Sequence, residues 1–174
     1  ATFTCYNWLH LFESTNSYDV VYKWFEYLRT NNRAEVMAYV IMPNHVHIIL
    51  HLNDFSTDLN KLLGNAKRFM AYELIKRLTN QKQGHILKQL VEGVTYIDRK
   101  KGQLHRVFES SFDAKPLNTI DFFHQKLNYI HHNPVRGKWK LAEIFTDYEH
   151  SSASFYELDI IKQFKPLDYR LVWG

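Results

Sequence analysis

Short apolar stretches separated by turn residues predict four strands along the chain. Residues 35–42 and 45–52 are two β-type runs joined only by Pro43-Asn44, a turn dipeptide that favours a tight antiparallel connection. Residues 2–12 are rich in Thr, Phe, Tyr and Trp, which favour strands, and residues 104–112 have a similar pattern. The sequence therefore predicts a central hairpin with one strand before it and one after it.

Two segments have the apolar periodicity of amphipathic helices. The first follows a polar turn at residues 13–17 and is expected to end at Asn31 and Asn32. Its predicted core-facing stripe is Val20, Trp24, Tyr27 and Leu28. The second covers residues 57–78, with the stripe Leu59, Leu62, Leu63, Ala66, Phe69, Met70, Leu74 and Leu78.

A third helix is predicted to begin after Asn118 as its N-cap and to end near Asn133, because Pro134 disfavours helical backbone at the residue before it. Residues 81–103 are interrupted by glycines and predict only a short helix at residues 86–91. The order strand, helix, strand, strand, helix, strand, helix predicts an α+β fold with an antiparallel sheet and helices packed on one face. We expect a single domain that covers residues 1–174.

Composition excludes several classes of protein. The chain has 174 residues, of which 45% are hydrophobic, so it can bury a core, and its apolar runs are far shorter than the roughly 20 residues of a membrane span. Its single cysteine, Cys5, excludes an internal disulfide and a thiolate zinc cluster. No secretory leader is visible, so we expect a protein of the bacterial cytoplasm. A net charge of +4 favours polyanionic partners without identifying one.

The motif MPNHVHIIL, residues 42–50, places two histidines one residue apart in an apolar run. Because side chains at i and i+2 of a strand project from the same face, His45 and His47 would present their imidazoles side by side. Two neutral imidazoles in this arrangement can bind one divalent ion. The alternative is a pair of surface or hydrogen-bonded histidines, against which the apolar flanks argue.

A second motif, KLNYIHHNPVRGKW at residues 126–139, ends the third helix. At about 100° per residue, Tyr129 and Asn133 project together on a side that differs from the apolar arc of the helix. That arc consists of Ile120, Phe123, Leu127 and Ile130. An ion held by the Asn133 amide oxygen would therefore lie close to the phenol oxygen. The alternative is a tyrosine at the helix margin with an asparagine at the helix end.

Taken together, MPNHVHIIL and YIHHN resemble the HUH single-tyrosine transposases of bacterial insertion sequences. The Tyr-x-x-x-Asn form followed by NPVRG looks most like the branch called REP-associated tyrosine transposases. The resemblance extends over most of the chain, from TFTCYNW near its start to DYEHSSASFY near its end. It implies a ferredoxin-like antiparallel sheet that carries the HUH motif on a central strand.

The resemblance also implies which residues form the site. His45 and His47 match metal ligands, Tyr129 matches the nucleophile, and Asn133 matches a third ligand in place of the glutamine found in much of the wider family. Such proteins act on single-stranded DNA, often at hairpins, with magnesium or manganese. The expected function is therefore a transposase-like single-stranded DNA endonuclease and strand-transferase that acts through a 5′-phosphotyrosine intermediate.

Basic side chains are expected to contact the DNA backbone, because phosphate contacts fix the register of a protein on DNA. The candidates are Lys126, Arg136 and Lys138 near the tyrosine, and Lys61 and Arg68 on one face of the second helix. For both groups the alternative is an ordinary solvated surface. Among the aromatic residues, Trp139 and Tyr148 are candidates for stacking on unpaired bases.

The sequence is compatible with several alternatives. A domesticated DNA-hairpin-binding protein would keep the fold without cleaving DNA. A metal-dependent hydrolase that uses water would explain the two histidines but would leave Tyr129 without a role. The chain can be a monomer or a homodimer, and location at the nucleoid is an expectation that follows from DNA binding. No role is assigned to His51, His131 and His132.

Overall fold

The computed structural model describes residues 1–31, 33–54 and 56–173. Within these residues, three strands form one antiparallel sheet: β1 (Thr2–Thr4), β2 (Ala34–Met42) and β3 (His45–Leu52). The spatial order is β1, β3, β2, so β3 is the central strand. The predicted position of the two histidines on a central strand is thus confirmed.

Eight α-helices lie in the described part of the chain: α1 (Leu11–Ser14), α2 (Tyr18–Thr30), α3 (Leu59–Asn80), α4 (Gly84–Glu92), α5 (Tyr96–Lys100), α6 (Ile120–His132), α7 (Ala153–Leu158) and α8 (Arg170–Trp173). Short 3₁₀ turns occupy Tyr6–Trp8, Asn133–Val135 and Phe145–Asp147. Among these helices, none is both long enough and apolar enough to cross a bilayer.

The predicted hairpin is confirmed, with Met42 opposite His45 at the turn and Ala34 opposite Leu52 at the far end. The register shifts between Val36 and Ala38, which places neighbouring residues of β2 on one face at that point. On the other side of β3, β1 pairs Thr2 with His47 and Thr4 with His45.

Both faces of the hairpin are apolar, and this determines where the helices lie. One core cluster combines Tyr39 and Ile48 of the sheet with the buried stripes of α2 and α3, and another combines Met42 and Ile49 with Phe123 and Ile130 of α6. The prediction of an antiparallel α+β fold is confirmed. The helices, however, cover both faces of the sheet instead of one, because β2 and β3 bury apolar side chains on each face.

The first predicted strand is much shorter than residues 2–12. After Thr4 the chain leaves the sheet, because the Cys5 N–H donates to the carbonyl of Asn44 (2.8 Å) and the Phe12 N–H donates to the carbonyl of Pro43 (3.0 Å). These bonds wrap residues 5–12 around the hairpin turn as a 3₁₀ turn and a short helix.

The predicted strand at residues 104–112 lies beside β1 but is reduced to isolated bridges, at Thr2 with Asp113 and at Cys5 with Phe108. The Glu109 N–H donates to the carbonyl of Thr4 over 2.9 Å. The segment therefore occupies the place of a fourth strand without forming a continuous ladder.

The helices follow the predictions with local shifts. The buried stripe of α2 is Val21, Trp24, Phe25 and Leu28, so Tyr27 lies outside it and is 56% exposed. On α3, Phe69 is likewise 64% exposed. The N-cap of α6 is Thr119 instead of Asn118, because the Thr119 hydroxyl accepts from the Phe122 N–H. Asn32, predicted to help end α2, lies outside the described residues.

Candidate functional site

The two histidines of β3 point to the face of the sheet that α6 covers. His45 and His47 are only 5% and 9% exposed, and their ring centroids lie 4.8 Å apart with the planes at 89°. Ile49, two residues further along the strand, belongs to the core cluster on the same face. The side-by-side arrangement predicted from the i, i+2 spacing is therefore present.

Asn44 orients His45. Its amide nitrogen donates to the carbonyl of Trp8 (2.9 Å), which turns its oxygen towards Nδ1 of His45 at 2.6 Å. Because that oxygen can only accept, Nδ1 of His45 carries the proton and Nε2 keeps its lone pair. A buried amide thus leaves the outer nitrogen of the ring in the form that binds a metal ion.

Thr2 holds the second histidine, with its hydroxyl 2.6 Å from Nδ1 of His47. Burial, reinforced by His10, lowers the pKa of His45 to about 4. Burial, reinforced by His45 and Lys126, lowers the pKa of His47 to about 3. Both imidazoles are therefore neutral at pH 7, which is the protonation state of a metal ligand.

Tyr129 comes from α6 and is 46% exposed, which agrees with its predicted place outside the apolar arc. Its ring packs edge-on against His47, with centroids 5.6 Å apart. The ammonium group of Lys126, one helical turn earlier, lies 5.7 Å from the centroid of the Tyr129 ring. The fold thus gathers a phenol, two neutral imidazoles and a cation from β3 and α6.

Asn133 directly follows α6, where its side-chain amide donates to the backbone carbonyl of Tyr129 over 3.0 Å. This bond attaches the amide to the same helical turn as Tyr129. Since the nitrogen makes the bond, the amide oxygen keeps its lone pairs for another partner.

The residues present fit a divalent ion in part. Among the described residues, no group of three or more His, Cys, Asp or Glu side chains is placed to hold a metal ion. The pair formed by His45 and His47 can supply two neutral nitrogen ligands, and the Asn133 amide oxygen is a candidate for a third, neutral ligand. Such a set adds no negative charge, so a bound ion would keep its full charge for a phosphate.

A cleft of about 860 Å³ borders this cluster. His47 and Tyr129 lie at its wall, Lys115 and Lys126 add two positive charges against the one negative charge of Asp113, and Trp173 of α8 adds an aromatic surface. A cleft with these walls can accommodate a flexible anionic chain next to the phenol.

Comparison with known proteins identifies the fold. The chain aligns with the structure of a REP-associated tyrosine transposase bound to a REP hairpin at a TM-score of 0.62, over 96% of this chain and 83% of the other, with 15% identity. It has the fold of that transposase. At this identity the likeness concerns the fold, and the expected HUH-type architecture is confirmed.

Comparison of amino-acid sequences finds one distant relative of unknown function. An uncharacterized protein of Haemophilus influenzae is 25% identical over 118 residues, which are 66% of this chain and 61% of that protein. The chain thus spans about three fifths of the relative that it matches. No family model matches the chain.

The other predicted DNA contacts fall into two groups. Arg136 and Lys138 are exposed just after α6, and Lys138 lies 5.4 Å from the ring of Trp139, which in turn lies near His45. Lys61 and Arg68 are also exposed, but on α3, whose buried stripe belongs to the core on the opposite face of the sheet. The fold does not gather these two residues around Tyr129.

Other suggested residues are placed differently. Tyr148 is 8% exposed and donates to the carbonyl of Ile41 (2.9 Å), so it is a core residue and not a stacking surface. His131 is buried beside Ser152, His132 stacks on Phe145, and His51 lines the cleft.

Sequence reasoning missed the residues that support the site. The sequence patterns place Thr2 only in a strand and Asn44 only in a turn, although each contacts a histidine. The position of Asn44 directly before His45 was a usable signal. The pairing of Thr2 with His47 depends on strand order and register, which no local pattern contains.

Proposed function

We propose that this chain is a metal-dependent single-stranded DNA endonuclease and strand-transferase in which Tyr129 is the nucleophile. The observation that carries the proposal is the contact of the Tyr129 ring with His47, at 5.6 Å between centroids. A tyrosine with only a structural role would not need to lie half exposed against a buried pair of neutral imidazoles.

The reaction joins the Tyr129 oxygen to a backbone phosphorus and breaks the bond from that phosphorus to the 3′ oxygen. The phenol proton is lost, and the departing 3′ oxygen gains a proton and becomes a free hydroxyl. One phosphodiester is exchanged for another, so no external energy source is required. A 3′-hydroxyl on the same or another strand can attack the phosphotyrosine and restore a DNA backbone.

His45, His47 and Asn133 are the residues that would hold the ion, magnesium or manganese. When bound, such an ion stabilises negative charge on the phosphate and on the phenolate. The contribution of the chain is to keep both imidazoles neutral through burial and to fix the proton of His45 through Asn44. Lys126 adds a positive charge beside the phenol.

Hairpin DNA with an unpaired flank is the proposed substrate. The structural neighbour was determined with a REP hairpin, and the cleft beside Tyr129 is suited to an unpaired strand. Arg136 and Lys138 would contact phosphates near the cut, whereas Lys61 and Arg68 would contact a more distant part of the DNA. In a bacterium such a protein would be located at the nucleoid.

The tyrosine acts in cis in this proposal, because Tyr129 and His47 of one chain already lie together. A homodimer is then not needed for chemistry, although two copies could hold two hairpins. Mixing a Tyr129→Phe chain with a His47→Ala chain tests this point. Recovery of cleavage in the mixture would contradict action in cis.

A second candidate is a hairpin-binding protein that no longer cleaves. It is favoured by the structural neighbour, which was determined bound to a hairpin, because hairpin binding by itself does not require cleavage. The half-exposed phenol beside His47 favours the enzyme.

The test incubates the purified protein with end-labelled hairpin and linear single-stranded DNAs, with magnesium or with manganese. The enzyme yields a product with a free 3′-hydroxyl, which a polymerase extends, and a second product whose 5′ end is blocked by protein. A hydrolase that uses water would leave both ends free of protein. Retention of hairpins without cleavage, with either ion, would support the second candidate.

A further inference from the structure

Trp8 is a large apolar side chain that lies in solvent beside the histidine pair. It is 59% exposed, and its ring centroid lies 5.7 Å from that of His45. His45 is followed by His47 at 4.8 Å and His47 by Tyr129 at 5.6 Å. The four rings are thus linked in a row of successive contacts, with Trp8 and Tyr129 at its two ends.

The backbone conformation at Trp8 is unfavourable for a tryptophan. Asn7 and Trp8 have φ values of 51° and 56°, in the left-handed region that bulky residues rarely adopt. Two hydrogen bonds to distant residues hold this segment in that conformation. Asn44 donates to the carbonyl of Trp8 over 2.9 Å, and the Asn7 N–H donates to a carboxylate oxygen of Glu109 over 2.9 Å.

Folding alone does not account for this arrangement. A side chain that is more than half exposed contributes little to the core, and a left-handed tryptophan costs backbone energy. Asn44, which is 1% exposed, fixes both the Trp8 carbonyl and the His45 ring. The indole is thus placed in a fixed relation to the candidate metal ligands.

The surroundings indicate the chemistry of a partner. Trp139 also faces His45, at 6.1 Å between centroids, and the exposed ammonium of Lys138 lies 5.4 Å from the Trp139 ring. The exposed indole of Trp8, together with the cation at the half-buried Trp139, fits a flat aromatic base that is linked to a phosphate. A base can offer its face only where it is unpaired.

We infer that Trp8 forms a stacking platform for one unpaired base of the DNA strand that Tyr129 attacks. This inference rests on the proposed function and adds the recognition of a nucleotide at the His45 end of the ring row. The platform tolerates different bases, because every base has a π face. Its role is to fix the position of the strand relative to Tyr129.

The test measures binding separately from cleavage. Tyr129→Phe protein in the presence of a chelator is titrated into fluorescein-labelled DNA hairpins that carry a short 5′ or 3′ single-stranded extension, and anisotropy gives Kd. In this background Trp8→Ala should weaken binding about 5- to 150-fold, the effect of losing one stacked base, while Trp8→Phe should retain most of the affinity. Tyr27→Ala, an exposed aromatic residue on α2, should not change Kd.

Abasic DNA makes the test independent of folding defects in the variant. Replacing the bases of the extension one at a time with abasic sites should reveal one position where the Tyr129→Phe parent loses affinity and the Trp8→Ala variant does not. Equal losses in both proteins at every position, or an unchanged Kd in Trp8→Ala, would overturn the inference. If the parent binds none of these DNAs, the proposed function fails as well, so the two failures are distinguishable.

Discussion

The ring of Tyr129 packs against the ring of His47 with centroids 5.6 Å apart and planes at 83°. The two residues come from α6 and β3, and their contact follows from core packing. Phe123 and Ile130 of α6 are buried on the same face of the sheet to which His47 points. The apolar residues that dock the helix therefore also bring the phenol to the imidazole pair.

Asn44 is predicted to control metal affinity without being a ligand. Asn44→Ala removes the acceptor that holds the proton on Nδ1 of His45, so the ring can adopt the other tautomer. We expect Mn²⁺ affinity to fall about 10- to 100-fold, as for other residues that orient metal-bound histidines. Electron paramagnetic resonance of free Mn²⁺ measures this directly.

A matched control for this variant is Asn31→Ala. It removes the hydrogen bond that the Asn31 side-chain amide donates to the carbonyl of Tyr27 at the exposed end of α2. That variant should bind Mn²⁺ as the unaltered chain does. Equal Mn²⁺ affinity in Asn44→Ala and Asn31→Ala would show that the tautomer of His45 is not set by Asn44.

Lys126 is predicted to contact the phosphate that Tyr129 attacks, because its ammonium group lies 5.7 Å from the phenol ring. Lys126→Gln should slow cleavage and reduce the slope of log affinity against log salt concentration by about 1. Lys88→Gln is the control, since Lys88 is exposed on α4 and pairs with Glu92. Identical salt slopes for the two variants would exclude a phosphate contact by Lys126.

His150 is predicted to make stability depend on pH. Its ring stacks on Tyr18 at 3.7 Å, and its Nδ1 lies 3.0 Å from the hydroxyl of Tyr22. Burial lowers the pKa of His150 from 6.5 to about 4, with opposing contributions from Glu149 and Lys162. Between pH 6.5 and about pH 4, His150 is protonated in the unfolded chain but not in the folded chain. The free energy of unfolding therefore falls as the pH is lowered through this interval.

Urea unfolding at several pH values across this interval provides the measurement. In His150→Phe the fall in unfolding free energy should be shallower, by up to about 1.4 kcal/mol per pH unit. Replacing His85, which is exposed on α4, with Gln should leave the slope as it is. A slope unaffected by His150→Phe would mean that His150 is not the group that titrates.

The elements predicted best are those encoded by local patterns. The hairpin depends on two β-type runs around Pro43-Asn44, and the side-by-side histidines depend only on the alternation along a strand. The face of α6 on which Tyr129 lies likewise depends only on the helical repeat. These features are present in the structure because no distant contact overrides them.

The features that the sequence did not reveal depend on distant contacts. The chain leaves the sheet after Thr4 because the backbone N–H groups of Cys5 and Phe12 donate hydrogen bonds to the carbonyls of the hairpin turn. The assignment of α6 to the face opposite α2 depends on which apolar set of β2 each helix covers. The exposed position of Trp8 depends on Asn44 and Glu109, far away in sequence.

Locating a covalent DNA adduct in the chain shows directly whether Tyr129 is the nucleophile. The protein is incubated with cleavable hairpin DNA and manganese, and the products are digested with nuclease and trypsin and analysed by mass spectrometry. We predict a 5′-phosphorylated nucleotide on the peptide of residues 127–136, attached to Tyr129, and its loss in Tyr129→Phe together with cleavage. Cleavage that persists in Tyr129→Phe, or an adduct on another peptide, would show that Tyr129 is not the nucleophile.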